Sequence, residues 1–135
     1  LLVAAGASVP DLVQGAAAGD ITRWPPADAD PTDRLLALVM AADHQRLDVI
    51  DQLVAAGTPV DAADPVWGRH PLQLAARNGR PLSVRRLIER GADPGRLDDQ
   101  GRTLLQLSRE GRRDYPTHPG HAAVQAILDP ASAGA

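Results

Sequence analysis

The chain has 135 residues, 44% of them hydrophobic, with no Cys, no Phe and a net charge of −3. That length holds one domain, and its core must be built from Leu, Val, Ile and Ala rather than from Phe rings. The missing cysteines exclude disulfides and thiolate chemistry, and no apolar run reaches the roughly 20 residues needed to cross a bilayer.

Leu1-Leu2-Val3-Ala4-Ala5-Gly6 reads as the end of a helix closed by Gly6, so the sequence starts inside an element. Ser8 is placed to cap a helix that runs through Pro10 and Leu12 to Ala18 and ends at Gly19. Ile21 to Trp24 allows about one helical turn, and the run from Pro25 to Pro31 breaks any helix. The next helix starts at Asp30 or Thr32 and carries Leu35, Leu36, Leu38, Val39 and Ala42. Its partner presents Leu47, Val49, Ile50, Leu53 and Val54 at three-to-four spacing. Helices from Pro71 to Asn78 and from Pro81 to Arg90 follow. Each has Pro in its first turn, where a missing N–H costs nothing. Thr103 to about Arg109 forms another helix, and Gly111 to Gly120 reads as a looping insertion. The last helix holds Val124, Ile127 and Leu128 and stops at Asp129-Pro130.

These elements repeat. Gly68-Arg69-His70-Pro71-Leu72-Gln73-Leu74-Ala75-Ala76-Arg77-Asn78-Gly79 is followed by Val84-Arg85-Arg86-Leu87-Ile88-Glu89-Arg90-Gly91-Ala92-Asp93, and Gly101-Arg102-Thr103-Leu104-Leu105-Gln106-Leu107 opens the next unit. Leu38, Ile50 and Leu53 recur 34 positions later as Leu72, Val84 and Leu87. The pattern resembles the ankyrin repeat, G-x-T-P-L-H-x-A-A-x-x-G then V-x-x-L-L-x-x-G-A-D. The resemblance implies an all-α ankyrin-repeat solenoid of antiparallel helix pairs, about four repeats, the first truncated and the second shortened. Residues 1–130 are then one domain and 131–135 a disordered tail. Leu38, Leu53, Leu72, Leu74, Leu87, Leu105 and Leu107 are expected in the core between repeats. Two departures stand out: His70 replaces the family's Thr, and Gln73 replaces its His.

The resemblance also implies a non-enzymatic module that binds another protein through finger tips and the concave face of the first helices. Those positions are Val66, Trp67 and Arg69 on the long finger, Arg77 and Asn78 on the helix behind it, Asp99, Gln100, Arg102 and Glu110 in the last repeat, and Asp43 and His44 in the earlier repeat. Trp and Arg are over-represented among residues that dominate interfaces, although a Trp also serves to plug a groove from within. Residues 1–66 carry ten Asp against three Arg, and residues 67–135 carry eleven Arg against seven acids. An Arg-lined groove suits an acidic segment of a partner; the plainer reading is that Arg covers the solvent face of the outer helices. A second class of function is a small-molecule or catalytic pocket at the irregular repeats, lined by Trp24, Trp67 and a His. Self-association through uncapped terminal repeats is a third.

Other chemistry finds little support. His118 and His121 flank Pro119-Gly120 in the insertion without a second ligand pair, so no metal or cofactor is expected, and a surface loop is. A single His such as His70 defines no acid–base pair. The Arg-rich stretches lack interleaved aromatic residues, which argues against nucleic acid. All fourteen basic residues are Arg, and the absence of Lys beside abundant Ala, Gly and Pro points to a GC-rich bacterial source. No signal peptide is visible, so a cytoplasmic location is expected.

Overall fold

The apolar spacing resolves into helices that pair and stack. The computed structural model describes residues 8–21 and 26–129. Its α-helices are α1 (Ser8–Ala18), α2 (Pro31–Asp43), α3 (Leu47–Ala55), α4 (Pro71–Arg77), α5 (Pro81–Glu89), α6 (Leu104–Asp114) and α7 (Gly120–Leu128). Among the described residues there is no strand. The expectations placed on Leu1–Gly6, on the Thr22–Trp24 turn and on the 131–135 tail lie outside the described residues.

Pro31, Pro71 and Pro81 each occupy a first helical turn, as their fixed φ favours. The link from α4 to α5 is only Asn78-Gly79-Arg80, and so short a link obliges the two helices to run antiparallel. The first helices α1, α2, α4 and α6 pack in one row. The second helices α3, α5 and α7 pack in another behind it. Between α1 and α2, the described residues hold no second helix, only a 3-10 turn at Pro26–Asp28. That is the short connection a shortened repeat leaves among the described residues.

The core lies between the rows. Leu12, Ile21, Leu38, Ile50, Leu53, Val84, Leu87 and Val124 are fully buried. Each is worth about 1.5–3 kcal/mol relative to exposure. Ala16, Ala37, Ala41, Ala42, Ala75 and Ala76 are buried as well, and their small side chains allow the first helices to approach closely. Leu72 and Leu107 join the core. Leu74 and Leu105 do not; both are half-buried. Leu74 looks out from α4 into a cleft, and Leu105 sits on α6, which has no further helix pair over it among the described residues.

Half of the insertion is helix rather than loop, the loop being confined to residues 115–119. α6 continues through Gly111 to Asp114, because a glycine there lets it press against the end of α4. A Cβ on Gly111 would stand 1.8 Å from the Arg77 carbonyl oxygen. Gly120 meets the Gly79 carbonyl equally closely, and there α7 begins. His121 is consequently buried on α7, not exposed in a loop. Its Nε2 lies 2.8 Å from the Arg77 carbonyl oxygen and must be the donor.

The opposed charges of the two halves meet across repeats. Arg80 pairs with Asp43, and Arg86 and Arg90 both reach Asp51. These pairs are partly exposed, so each is worth about 0–1 kcal/mol. They tie α5 and the turn before it to the preceding helix pair.

Candidate partner-binding cleft

Two fingers project from the helix layers, one between α3 and α4 and the other between α5 and α6. Each is organised by an aspartate. Asp64 is 1% exposed and accepts from the N–H groups of Val66 (3.0 Å), Trp67 (2.7 Å) and Arg69 (3.0 Å), and from Arg69 Nε at 3.3 Å. Asp98 accepts from the N–H groups of Gln100 (3.0 Å) and Arg102 (2.7 Å), and from Arg102 Nε at 2.8 Å. The base of each finger closes with one backbone bond, Asp64 N–H to the Arg69 carbonyl and Asp98 N–H to the Arg102 carbonyl.

These bonds set the charges. Burial by itself would raise the Asp64 carboxyl, but the N–H groups of Trp67, Arg69 and Val66 and the Arg69 side chain outweigh it and hold it below the usual carboxylate range. The Arg102 N–H is the main cause that lowers Asp98; burial opposes it, and the Arg102 guanidinium and the Gln100 N–H reinforce it. The second finger also docks on the first. Asp93 N–H donates to the Asp61 carboxylate, and Arg96 Nη1 donates to the Asp61 carbonyl at 2.7 Å.

Between the fingers and the first helices lies an open cleft of about 270 Å³. Arg69, Arg77, Asp99, Gln100 and Arg102, all selected from the sequence, line it together with His70, Gln73, Leu74, Asp98 and Leu107. Trp67 is not part of the lining but adjoins it through Gly68 and Arg69; it is 66% exposed, with the Arg69 guanidinium 4.5 Å from the ring centre. The indole is on the surface and plugs nothing. Asp43, His44 and Asn78 are not in this cleft. Asn78 Nδ2 donates to Asp43 Oδ1 at 2.9 Å, beside Arg80, in the bridge between neighbouring helix turns. His44 is exposed at the end of α2. Those three side chains join repeat to repeat or face solvent at the α2 end.

The arginines of the cleft are all occupied by the chain's own carboxylates. Arg102 bonds Asp98 and, at 2.7 Å, Glu110. Arg77 bonds Asp114 at 2.9 Å, and Arg69 bonds Asp64. Sequence reading missed this pairing, because Asp114 lies 37 residues from Arg77 in what looked like a loop. It also missed Leu74 as cleft floor. Gln73 is the one residue of the floor with an unmet need. Its Nε2 is buried and has no hydrogen-bond partner. The equivalent Gln106 closes a capping box with Thr103, and His70, standing in the place of that Thr, makes no side-chain cap.

The cleft offers recognition chemistry: a nearby indole, a half-buried leucine, an amide and several internally paired charges. Among the described residues, no group of three or more His, Cys, Asp or Glu is placed to hold a metal. None of the described helices is long and apolar enough to cross a membrane. The hollow beside the shortened repeat, lined by Gly19, Gln45, Arg46 and Asp48, is open and contains neither tryptophan among its described residues. Trp24 lies outside the described residues.

Comparison with known proteins fits this geometry. The family described as Ankyrin repeats (3 copies) matches residues 10–115. A palmitoyltransferase AKR1 from Kluyveromyces lactis is 35% identical over 81 residues, which is 60% of this chain and 11% of that protein. The human neurogenic locus notch homolog protein 4 is 51% identical over 41 residues, 30% of this chain and 2% of that protein. The human ARF GTPase-activating protein GIT1 is 36% identical over 59 residues, 44% of this chain and 8% of that protein. The chain spans about a tenth or less of the length of these relatives, so the likeness is one of repeats and not of whole proteins. With its repeat pattern, its two rows of helices and its projecting fingers, the chain belongs to the ankyrin-repeat family.

Proposed function

We propose that this chain is a non-enzymatic module that binds another protein, and that the partner docks in the cleft between the two fingers and helices α4 and α6. The observation that carries this reading is Trp67. A large indole is held 66% exposed beside an open cleft, on a finger braced by a buried aspartate. Ordering an apolar ring in water has no benefit to the fold, whereas such rings dominate interfaces. The palmitoyltransferase name attaches to a protein of which only 11% is matched here, and it brings no transfer chemistry to this cleft. A bacterial source, suggested by the composition, and a cytoplasmic location belong to the same proposal.

The acidic partner expected from the sequence loses its basis in this geometry. Arg69, Arg77 and Arg102 are each held by internal carboxylates, so an incoming acid would exchange one ion pair for another.

The test is capture of partners by the tagged chain from the organism that encodes it, followed by mass spectrometry. Trp67→Ala combined with Gln100→Arg should lose the specific partner while the melting temperature stays within a few degrees. Arg85→Ala on the exposed face of α5 should keep it. Equal capture by both variants would overturn the assignment.

A further inference from the structure

We infer that the segment accepted by this cleft is cationic: an extended stretch of a partner protein in which Lys or Arg flanks an apolar residue. The inference rests on the docking reading above and adds the partner's chemistry.

The first ground is charge. Four guanidinium groups, on Arg69, Arg77, Arg102 and Arg113, stand against five carboxylates: their partners Asp64, Asp114, Asp98 and Glu110, together with Asp99. The surplus of one negative charge is concentrated around Arg102, which alone faces Asp98 and Glu110 with Asp99 beside them. Asp99 is exposed in the cleft wall and makes no ion pair among the described residues. Arg102 is already held by two carboxylates, so a third would meet repulsion from both. A cation meets Asp99 unpaired and shares the excess charge around Asp98 and Glu110. Such complementarity sets partner choice and speeds association.

The second ground is the floor. Leu74 is half-buried under the cleft beside Leu107, which leaves room for an apolar side chain between the fingers. Next to it, the buried Gln73 Nε2 has no acceptor. A buried donor without a partner costs about 1–3 kcal/mol. Gln73 lines the cleft, so a turn of its side chain toward the open space would let a backbone carbonyl of an extended segment supply that acceptor. Arg69 covers one face of Trp67 and leaves the remainder of the indole open beside the cleft for apolar contact.

The test is selection of a displayed random-peptide library on the immobilised full chain, with affinities of the selected peptides then measured by fluorescence anisotropy. Selected peptides should be enriched in Lys and Arg around an apolar residue. Asp99→Lys should weaken them about tenfold, and Asp99→Asn about threefold. Raising salt from about 0.05 to 0.5 M should weaken them too, because exposed pairs are screened. Asp99 is exposed, so circular dichroism and the melting temperature should not change in either variant. Peptides enriched in Asp and Glu that lose binding in Trp67→Ala would overturn the cationic inference and leave the cleft reading standing. Peptides whose binding ignores Trp67, Gln100 and Asp99 alike would overturn the cleft reading itself. A library that yields no enrichment of basic sequences counts against the inference as well.

Discussion

The two fingers share one frame and differ by one residue. In both, an aspartate collects the N–H groups of the loop and the Nε of the arginine that closes it. In both, a glycine with positive φ turns the chain, Gly68 at 67° and Gly101 at 77°. Only glycine takes that conformation readily. The short finger spans Asp98 to Gly101 with an N–H to carbonyl bond of 3.0 Å, and the long one spans Asp64 to Gly68 with one of 2.8 Å. The extra residue adds no core. It lengthens the tip that carries Val66 and Trp67, both exposed. The helix starts behind the fingers differ in the same sense. Thr103 and Gln106 satisfy each other, whereas His70 and Gln73 leave an amide unpaired in the cleft. The helix start behind the second finger is capped by its own side chains, and the one behind the first is not.

That contrast can be broken or sharpened in order of effect. Leu72 and Leu105 occupy equivalent places, but Leu72 is 3% exposed and Leu105 is half-buried. Leu72→Ala should cost about 2–5 kcal/mol in chemical denaturation, and Leu105→Ala clearly less. A loss below about 1 kcal/mol at Leu72 would remove it from the core. Removing the clamp of the long finger comes next. Asp64→Ala strands three loop N–H groups and should cost about 3 kcal/mol, more than Asp98→Ala, whose carboxylate is less buried.

Acid should undo both clamps. Their folded-state carboxyls are depressed, so their stabilisation is fully present above the unfolded value of about 4 and is lost as pH falls through the lower folded values. Melting temperatures taken between about pH 5 and 2 should fall more steeply for the natural chain than for Asp64→Ala. Parallel slopes would mean the carboxylate is not held as described. The smallest effect should come from His70→Thr, which rebuilds at the start of α4 the capping box found at the start of α6. A gain of about 0.5–1 kcal/mol is expected, with weaker partner capture because the Gln73 side chain would turn its Oε1 to the N–H of residue 70, as Gln106 does to Thr103.

Much of this was legible in the residues. The prolines at positions 71 and 81 marked helix starts, and the 34-residue recurrence of Leu38, Ile50 and Leu53 fixed the stacking. The cleft was half legible: Arg69, Arg77, Gln100 and Arg102 meet there, while Asp43 and Asn78 bond each other elsewhere. The remainder depends on contacts between positions far apart in sequence. Gly111 looks like a loop residue until the Arg77 carbonyl is seen against it. His121 looks exposed until α7 carries it under the end of α4. The partners of Arg77 and Arg102 follow from α6 running on to Asp114, which its composition does not announce.

The most direct measurement is site-specific photo-crosslinking in cells. A photoreactive residue is placed at Gln100, in the cleft, and separately at Arg85, on the exposed face of the outer helix row. The same partner should be captured from position 100, not from position 85, and replacing Trp67 by Ala should reduce the yield. Capture from position 85 with none from position 100 would show that the concave side is not the binding face.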